Sequence, residues 1–559
     1  MLSTPQLNNE PGTRPSNISL IGGTSCLWTV VVALISIGLS TLNVYELRRL
    51  KEHGLIVQNV IPATSPDRPL VPITSPNKPV YSVYGKSADD SHLKHVFAVM
   101  ERLGFEHGSN KSTDWDILWA HDYPFRALQP LLRNLKPHQK VNHFPGCGYI
   151  TNKVDLAMTE LPYIPRAFRL PGDKDKLMVY AKMHPDTQFV QKSNSHRGVH
   201  VVSVAALDLD TPETFVQEYV DKPLLVDGYK FDIGVYTVVT SIDPLRVYIY
   251  NGDVLFRFCP QLYYPFDPAV LDKYVVGDDY LPIWDIPSLQ KYYVNLGFSM
   301  KESFNAFVRS KGARTYLNLV REGEVHRVKP GKLPEMSPQY ADIKGDHKNC
   351  KDPLNVWRQV EDAIRLICLK KESLLIESLS HYKYNHNFFE MVRFDFVIDE
   401  DLNVFVMEAN MSPNLSSAHF PPNRLLYEQT LFNLFALVGV GRRVVAESLQ
   451  SRSREDMLMQ VAEKNLVVFP EECSKRRCEL CLADECQLCL PCLTLETLDQ
   501  LRRAYLEHIN KLDCKRVVPP PMTPERGNIS VNLGGLSPRN KLMYLWFRGK
   551  CQLDSSWCS

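Results

Sequence analysis

The stretch FFEMVRFDFVIDEDLNVFVMEANMSPNLSS, residues 388–417, decides the predicted fold, because it contains two apolar runs joined by a short polar turn. The runs are residues 394–399 and 404–410, and the turn is residues 400–403. Two such runs around a four-residue turn are typical of an antiparallel hairpin. Residues 404–407 are apolar on both faces, which indicates a buried strand.

This hairpin is predicted to bring acidic side chains together. If the turn forms the loop, Asp399 pairs with Val404, and counting outward places Asp395 opposite Glu408 with Asn410 further along the same face. Facing carboxylates repel each other unless a cation lies between them, and oxygen ligands of this kind suit Mg²⁺. The alternative is a hairpin with one polar face in solvent. We therefore predict a magnesium site at Asp395, Glu408 and Asn410.

A second group of strands precedes the hairpin in sequence. Residues 216–258 break at 241–244 and at 251–253, which predicts three antiparallel strands. Period two places Lys230, Asp232 and Gly234 on one face. Such a pair of charges is most often a solvated edge pair, so their role depends on what lies beside them.

A polar loop lies further upstream. One strand ends at Lys192, residues 193–198 form a turn containing Gly198, and a second strand covers residues 200–204. A lysine beside a glycine-containing loop can cover a polyphosphate, since ammonium and backbone amides both meet phosphate oxygens. The alternative is an ordinary hairpin.

Three further segments are predicted from their patterns. Residues 81–165 form a small α/β unit, and residues 357–382 form a helix that turns one apolar stripe to the core. Residues 309–332 contain seven Lys or Arg and two Glu. This basic segment is either a solvated face or a cradle for an acidic partner.

The N-terminal region predicts a membrane anchor. After a short polar stretch, 1–19, residues 20–42 are apolar and long enough to span a bilayer as one helix, and the proline-rich residues 51–80 form an extended linker. Basic residues crowd the C-terminal flank of the apolar segment, so the positive-inside rule predicts a single-pass protein with a cytoplasmic catalytic domain. Glycosylation sequons at Asn110, Asn414 and Asn528 leave a lumenal orientation open.

Charge and cysteine distribution separate the two ends of the chain. Among 559 residues, 64 Lys and Arg against 63 Asp and Glu give a net charge of +1, so no nucleic-acid partner is expected. Nine of the fourteen cysteines fall in the C-terminal region 447–559, mostly in a cysteine-rich module, 473–514. The cysteines of residues 473–492 could bind a structural Zn²⁺ in a reducing compartment, form disulfides in a lumenal one, or remain free or lipid-modified thiols.

Residues 142–146 (NHFPG), the loop after Lys192, residues 228–232 (GYKFD), FDFVID and FVMEANMSPNL resemble motifs of the tubulin tyrosine ligase-like family. The resemblance runs from residue 81 to residue 446. It implies an α/β (α+β) fold with an ATP-grasp-like core of three subdomains, preceded by the membrane helix and followed by the cysteine-rich tail.

The resemblance also implies the roles of individual residues. Residues expected to bind ATP are Lys153, Lys192, Gln217, Tyr219, Val220 and Lys230. Lys230, Asp232 and Arg257 would serve catalysis, and Asp395, Glu408 and Asn410 would carry Mg²⁺.

The function implied is that of an ATP- and Mg²⁺-dependent ligase that adds free glutamate to glutamate side chains of tubulin tails, through an acyl phosphate. The family has an arginine at the position of Gly234, and its His-Leu-Thr-Asn segment is replaced here by residues 272–289. These departures favour a catalytically impaired, membrane-tethered protein that binds nucleotide or tubulin. The proline-rich linker, the sequons and the clustered cysteines favour another alternative, a lumenal ligase with a non-tubulin acceptor.

Overall fold

Three β-sheets form the framework of the protein in a computed structural model that describes residues 78–85, 91–108, 113–193, 200–202, 204–321, 353–441, 458–524 and 535–559. All of these residues belong to one compact unit, Ser75–Ser559. The predicted α/β class is confirmed.

Twelve α-helices pack around these sheets in the described part of the chain. They are α1 (Lys94–Arg102), α2 (Gln129–Arg133), α3 (Gly148–Thr151), α4 (Lys153–Ala157), α5 (Lys174–Met183), α6 (Pro287–Gln290), α7 (Met300–Arg321), α8 (Pro353–Leu379), α9 (Asn423–Leu437), α10 (Pro470–Cys473), α11 (Leu495–Ile509) and α12 (Pro538–Leu553). Helix α8 contains the predicted apolar stripe, whose members Val360, Ala363, Ile364 and Ile367 are all buried.

The first sheet is parallel, in the order β2-β1-β3-β4. Its strands are β1 (Val80–Tyr84), β2 (Glu106–His107), β3 (Ile117–Ala120) and β4 (Lys140–Val141). Strand β3 is wholly buried, so its sequence is apolar on both faces. The predicted α/β unit is confirmed, and the last residue of the predicted linker, Val80, belongs to β1.

The second sheet is antiparallel, in the order β5-β8-β6-β7. Its strands are β5 (Ala167–Leu170), β6 (Phe189–Ser193), β7 (His200–Val202) and β8 (Thr214–Glu218). Helix α5 buries Leu177 and Ala181 against Phe168, Phe189 and Val216 of this sheet. The predicted strands on either side of the polar loop are confirmed, each within two residues at its end.

The third sheet has seven strands and carries the candidate site. They are β9 (Phe231–Ile242), β10 (Leu245–Tyr250), β11 (Leu255–Phe258), β12 (Leu281–Pro282), β13 (Glu390–Ile398), β14 (Val404–Asn410) and β15 (Cys514–Val518). Strand β9 pairs with β10 and β11 along one edge and with β13 along the other, while β14 continues the sheet beyond β13. The two predicted breaks therefore separate β9, β10 and β11.

The C-terminal region extends this sheet rather than lying apart from it. Strand β15 pairs antiparallel with β10, and Arg246 of β10 donates two hydrogen bonds to Glu507 of α11, at 2.8 and 3.0 Å. Both side chains are buried. The sequence boundary at residue 446 thus falls inside the compact unit.

Eight of the nine C-terminal cysteines form disulfides. The pairs are Cys473–Cys489, Cys478–Cys486, Cys481–Cys492 and Cys551–Cys558, while Cys514 is a buried free thiol. The structure contradicts the zinc alternative for residues 473–492, because a zinc site needs thiolates and these six sulfurs are bonded to one another. The disulfide alternative is the one that the structure shows.

Several predicted segments lie outside the described residues. They are the polar N-terminus 1–19, the membrane helix 20–42, the linker up to residue 77, and the basic segment beyond Arg321. Among the helices that are described, none has the length and apolar character needed to cross a bilayer.

Candidate active site

Strands β13 and β14 form the hairpin that the sequence predicts. Asp395 lies directly opposite Glu408. The predicted loop is one residue off, since Ile398 and not Asp399 pairs with Val404. A β-bulge directly after Asp395 absorbs the extra residue and restores the predicted pairing of the two acids.

Asp395 is buried and accepts four hydrogen bonds. Arg393 donates to both of its carboxylate oxygens, at 2.7 and 2.8 Å, Arg257 donates at 2.8 Å, and the amide of Asn410 donates at 3.1 Å. Burial alone would raise the pKa of Asp395, but the two guanidinium groups outweigh it and hold that pKa below its usual value. Asp395 is therefore an ionised, oriented carboxylate.

Asp232 also accepts hydrogen bonds from Arg257, one of the two arginines that contact Asp395. Arg257 lies opposite Asp232 across β9 and β11, and its Nε and Nη2 donate to the two carboxylate oxygens at 2.9 and 2.8 Å. Burial raises the pKa of Asp232 to about 6 even though Arg257 opposes the shift, and the nearby charge of Asp395 adds to it. One guanidinium thus bridges two buried carboxylates on neighbouring strands.

Glu408 is the more accessible acid of the hairpin. Its side chain is 30% exposed, one oxygen accepts a hydrogen bond from Asn410 at 3.1 Å, and the other lies 3.4 Å from Nζ of Lys153. Lys153 is the first residue of α4, which Asn152 caps by accepting hydrogen bonds from the next turn. The cap fixes the start of the helix and so places this lysine beside the hairpin.

Two further lysines lie on the nucleotide side predicted from the resemblance. Lys192 donates to the side-chain oxygen of the buried Gln217 at 2.9 Å. Lys230 donates to the backbone oxygen of Tyr274 at 2.9 Å, and its Nζ lies 5.0 Å from the ring centre of Tyr219. Burial lowers the pKa of both lysines, that of Lys192 to about 8.

The charges of these groups connect the two parts of the site. The negative charge of Glu408 raises the pKa of Lys192, whereas the positive charges of Lys230 and Lys153 add to the lowering of that pKa by burial. Lys192 is therefore close enough to Glu408, Lys230 and Lys153 for their charges to act on it, and Lys153 contacts Glu408 directly. Tyr219 and Val220 line an adjoining cleft of about 270 Å³ together with the β13–β14 loop.

An open groove of about 1150 Å³ ends at the hairpin on its other side. Its lining includes Arg126, Arg133, Lys153, His381 and Asn410. The groove therefore reaches the hairpin at Asn410 and contains Lys153, the partner of Glu408.

The NHFPG motif at residues 142–146 braces the first sheet against β13. The side-chain amide of Asn142 makes two hydrogen bonds with the backbone of Ala120, and His143 contacts Ala120 oxygen and Glu390 at 2.9 and 2.7 Å. Within the described residues, His143, Cys147 and Glu390 are the one group of three His, Cys, Asp or Glu side chains whose ligand atoms lie within 4.8 Å of one another. Both ring nitrogens of His143 are engaged, so we assign this cluster to the framework.

The acidic and basic side chains of the site fit Mg²⁺ and a nucleoside triphosphate. Asp395 and Glu408 offer only oxygen to a cation, which is the preference of Mg²⁺, and Asn410 holds both carboxylates through its amide nitrogen. The Oδ1 atom of Asp395 accepts one hydrogen bond and retains a lone pair, and Glu408 is partly exposed. The surrounding lysines supply the positive charge that phosphate oxygens require.

Arg393 is the member of the site that sequence reasoning missed. It lies two residues before Asp395 on the same face of β13, so period two alone could have placed it beside the acid. The contact of Lys230 with Tyr274, inside the divergent segment 272–289, was also not predicted.

The lowered pKa of Lys192 predicts a pH dependence of ATP binding. Phosphate attracts the protonated amine, so ATP affinity should fall as the pH rises through 8, by up to about tenfold at pH 9. Lys192→Arg should remove most of this decline, since a guanidinium stays protonated. Calorimetric titration with ATP between pH 7 and 9 measures it, and equal declines in both proteins would refute this role of Lys192.

The chain is similar to known proteins over most of its length. The profile of the Tubulin-tyrosine ligase family matches residues 132–318 and 333–447. The "Probable tubulin polyglutamylase ttll-15" of Caenorhabditis elegans is 39% identical over 485 residues, which cover 85% of each protein.

Two more distant relatives match a smaller part. The mouse "Tubulin polyglutamylase TTLL6" is 25% identical over 61% of this chain and 39% of its own length. The human "Tubulin monoglutamylase TTLL4" is 26% identical over 61% of this chain and 26% of its own length. From the extent of the profile match and of the nematode relative, this chain belongs to the tubulin-tyrosine ligase family.

Proposed function

We propose that the protein is an ATP- and Mg²⁺-dependent ligase that adds glutamate to glutamate side chains of tubulin C-terminal tails. The observation that carries this proposal is the acidic hairpin, in which Asp395 lies opposite Glu408 and Glu408 contacts Lys153 at 3.4 Å. The names of the relatives, which are tubulin polyglutamylases and a monoglutamylase, support glutamate as the amino acid and tubulin as the acceptor.

The chemistry requires two transfers. The γ-phosphate of ATP passes to a carboxylate of the acceptor, which gives ADP and an acyl phosphate, and the amine of free glutamate then displaces phosphate and loses a proton to form the new amide. When bound, Mg²⁺ held by Asp395, Glu408 and Asn410 would neutralise charge on the phosphate oxygens.

The chain's own side chains orient the reactants. Lys153, Lys192 and Lys230 attract the phosphates, and the pocket beside Tyr219 and Val220 receives the adenine. Arg257, fixed by Asp232 and Asp395, stabilises negative charge at the reacting end. The groove that holds Arg126 and Arg133 suits an acidic tail, and the basic segment 309–332 remains a second candidate cradle.

The direct test offers the full-length chain microtubules, ATP, Mg²⁺ and one labelled amino acid at a time. Glutamate should be incorporated into the tubulin tails, and glycine or tyrosine should not. Mass spectrometry of the tails identifies the modified residue. Tight ATP binding without any incorporation would refute the ligase and favour a nucleotide- or tubulin-binding protein.

A second candidate is a lumenal ligase with a non-tubulin acceptor, and the four disulfides support it. Disulfides persist in oxidising compartments and are rare in the cytosol. Both candidates keep the membrane span predicted at residues 20–42, and the orientation of that predicted span distinguishes them. Glycan occupancy at Asn110 or Asn528 in native membranes would exclude tubulin as the acceptor, whereas unoccupied sequons with reduced C-terminal thiols would exclude the lumenal ligase.

A further inference from the structure

Gly234 of β9 provides room for an arginine from the neighbouring strand. Gly234 pairs with Asp395 of β13. A Cβ atom built on residue 234 would lie 2.9 Å from Cδ of Arg393, 3.3 Å from its Nε and 3.3 Å from Oδ1 of Asp395. The glycine lies within a regular strand, so the close approach of Arg393, and not an unusual backbone conformation, accounts for it.

Arg393 uses that room to hold Asp395. Its Nε and Nη2 meet both carboxylate oxygens in a two-pronged contact, and both residues are buried, at 6% and 1% exposure. The guanidinium has five donors in a rigid fork that matches a carboxylate, so this contact fixes the plane of the acid as well as its charge.

Arg393 is one of three cations in direct contact with the carboxylates of the site. Asp232, Asp395 and Glu408 supply three negative charges, and Arg257, Arg393 and Lys153 supply three positive ones within contact distance. Without Arg393, the guanidinium of Arg257 would serve two buried carboxylates alone.

We propose that Arg393 is a positioning residue that holds Asp395 for Mg²⁺-ATP, and that it supplies from β13 the guanidinium that the resembled family carries at the position of Gly234. This inference rests on the proposed function. It implies that the positive charge missing at residue 234 is supplied by the adjacent strand. The presence of Gly234 therefore does not indicate an inactive protein.

The test uses calorimetry to measure ATP binding by variants of the full-length chain while the Mg²⁺ concentration is varied. Arg393→Ala should raise the Mg²⁺ concentration for half-saturation by about tenfold or more, as is usual for partners that orient a metal ligand, and Arg393→Lys should have a smaller effect. The exchange Gly234→Arg with Arg393→Gly should bind Mg²⁺-ATP better than Arg393→Gly alone, because it returns a guanidinium to the same space.

Arg246→Lys is the matched control. Arg246, on β10 of the same sheet, makes the same two-pronged buried contact with Glu507 of α11, outside the site. This variant should lose stability and keep the Mg²⁺ dependence of the wild type. A purely structural role of Arg393 would make the two lysine variants behave alike.

Two results would overturn the inference. One is a folded Arg393→Ala or Arg393→Lys protein with unchanged Mg²⁺ half-saturation, and the other is an exchange variant that folds but binds no better than Arg393→Gly. The binding assay contains neither glutamate nor acceptor, so a failure of ligation with the expected Mg²⁺ shifts would count against the proposed function alone.

Discussion

Glu408→Gln should lower glutamate incorporation by at least about 10²- to 10³-fold, with little loss of stability. The substitution keeps the shape of the side chain and removes the charge that faces Lys153 at 3.4 Å. It also removes an ionised ligand from the predicted magnesium site. Incorporation into microtubules at saturating ATP measures the effect.

The matched control for this variant is Glu361→Gln. Glu361 of α8 makes a partly buried ion pair with Lys515 of β15 at 2.6 Å, comparable in exposure to the pair of Lys153 and Glu408. The activity of the Glu361→Gln variant should stay within about twofold of the wild type. Losing a partly exposed ion pair costs about 1 kcal/mol or less of stability, so the variant should remain folded. Similar losses of activity in both variants would contradict a specific role for Glu408.

Arg257→Ala should destabilise the protein by about 3–5 kcal/mol near pH 8, because it leaves the charges of Asp232 and Asp395 poorly compensated in the interior. Chemical unfolding at pH 8 measures this loss. Arg169→Ala is the control, because Arg169 pairs with Asp155 at the surface, and its removal should cost no more than about 1 kcal/mol.

The loss caused by Arg257→Ala should be smaller at pH 5. The pKa of Asp232 is already raised to about 6 in the folded protein, and removing Arg257 raises it further. A carboxyl group with a raised folded-state pKa favours folding below its unfolded pKa and loses that contribution as the pH rises through the folded value. A penalty that is equal at pH 5 and pH 8 would show that Asp232 and Asp395 are not its cause.

The acidic hairpin was predictable because its register follows from counting. Side chains alternate along a strand, so a four-residue turn was enough to bring Asp395 opposite Glu408. The count contained a one-residue error in the loop, and the bulge after Asp395 cancelled it. A bulge depends on the packing of the whole sheet, so the sequence of the hairpin does not reveal it.

The remaining features depend on contacts between distant segments. In the sequence, Gly234 shows only that an arginine is missing. In the structure, β13 lies beside β9 and Arg393 fills the space next to this glycine. Strand β15 joins β10 from the far end of the chain. Six cysteines allow fifteen pairings, so the disulfides of residues 473–492 could not be deduced from spacing.

The most direct test of an ATP-dependent ligase follows oxygen from the acceptor to phosphate. A tubulin-tail peptide whose glutamate carboxylates carry ¹⁸O is incubated with the full-length chain, glutamate, ATP and Mg²⁺. An acyl phosphate predicts ADP and phosphate in equal amounts with incorporated glutamate, and one ¹⁸O atom in each phosphate released. Unlabelled phosphate, or AMP with pyrophosphate, would contradict the mechanism proposed for this site.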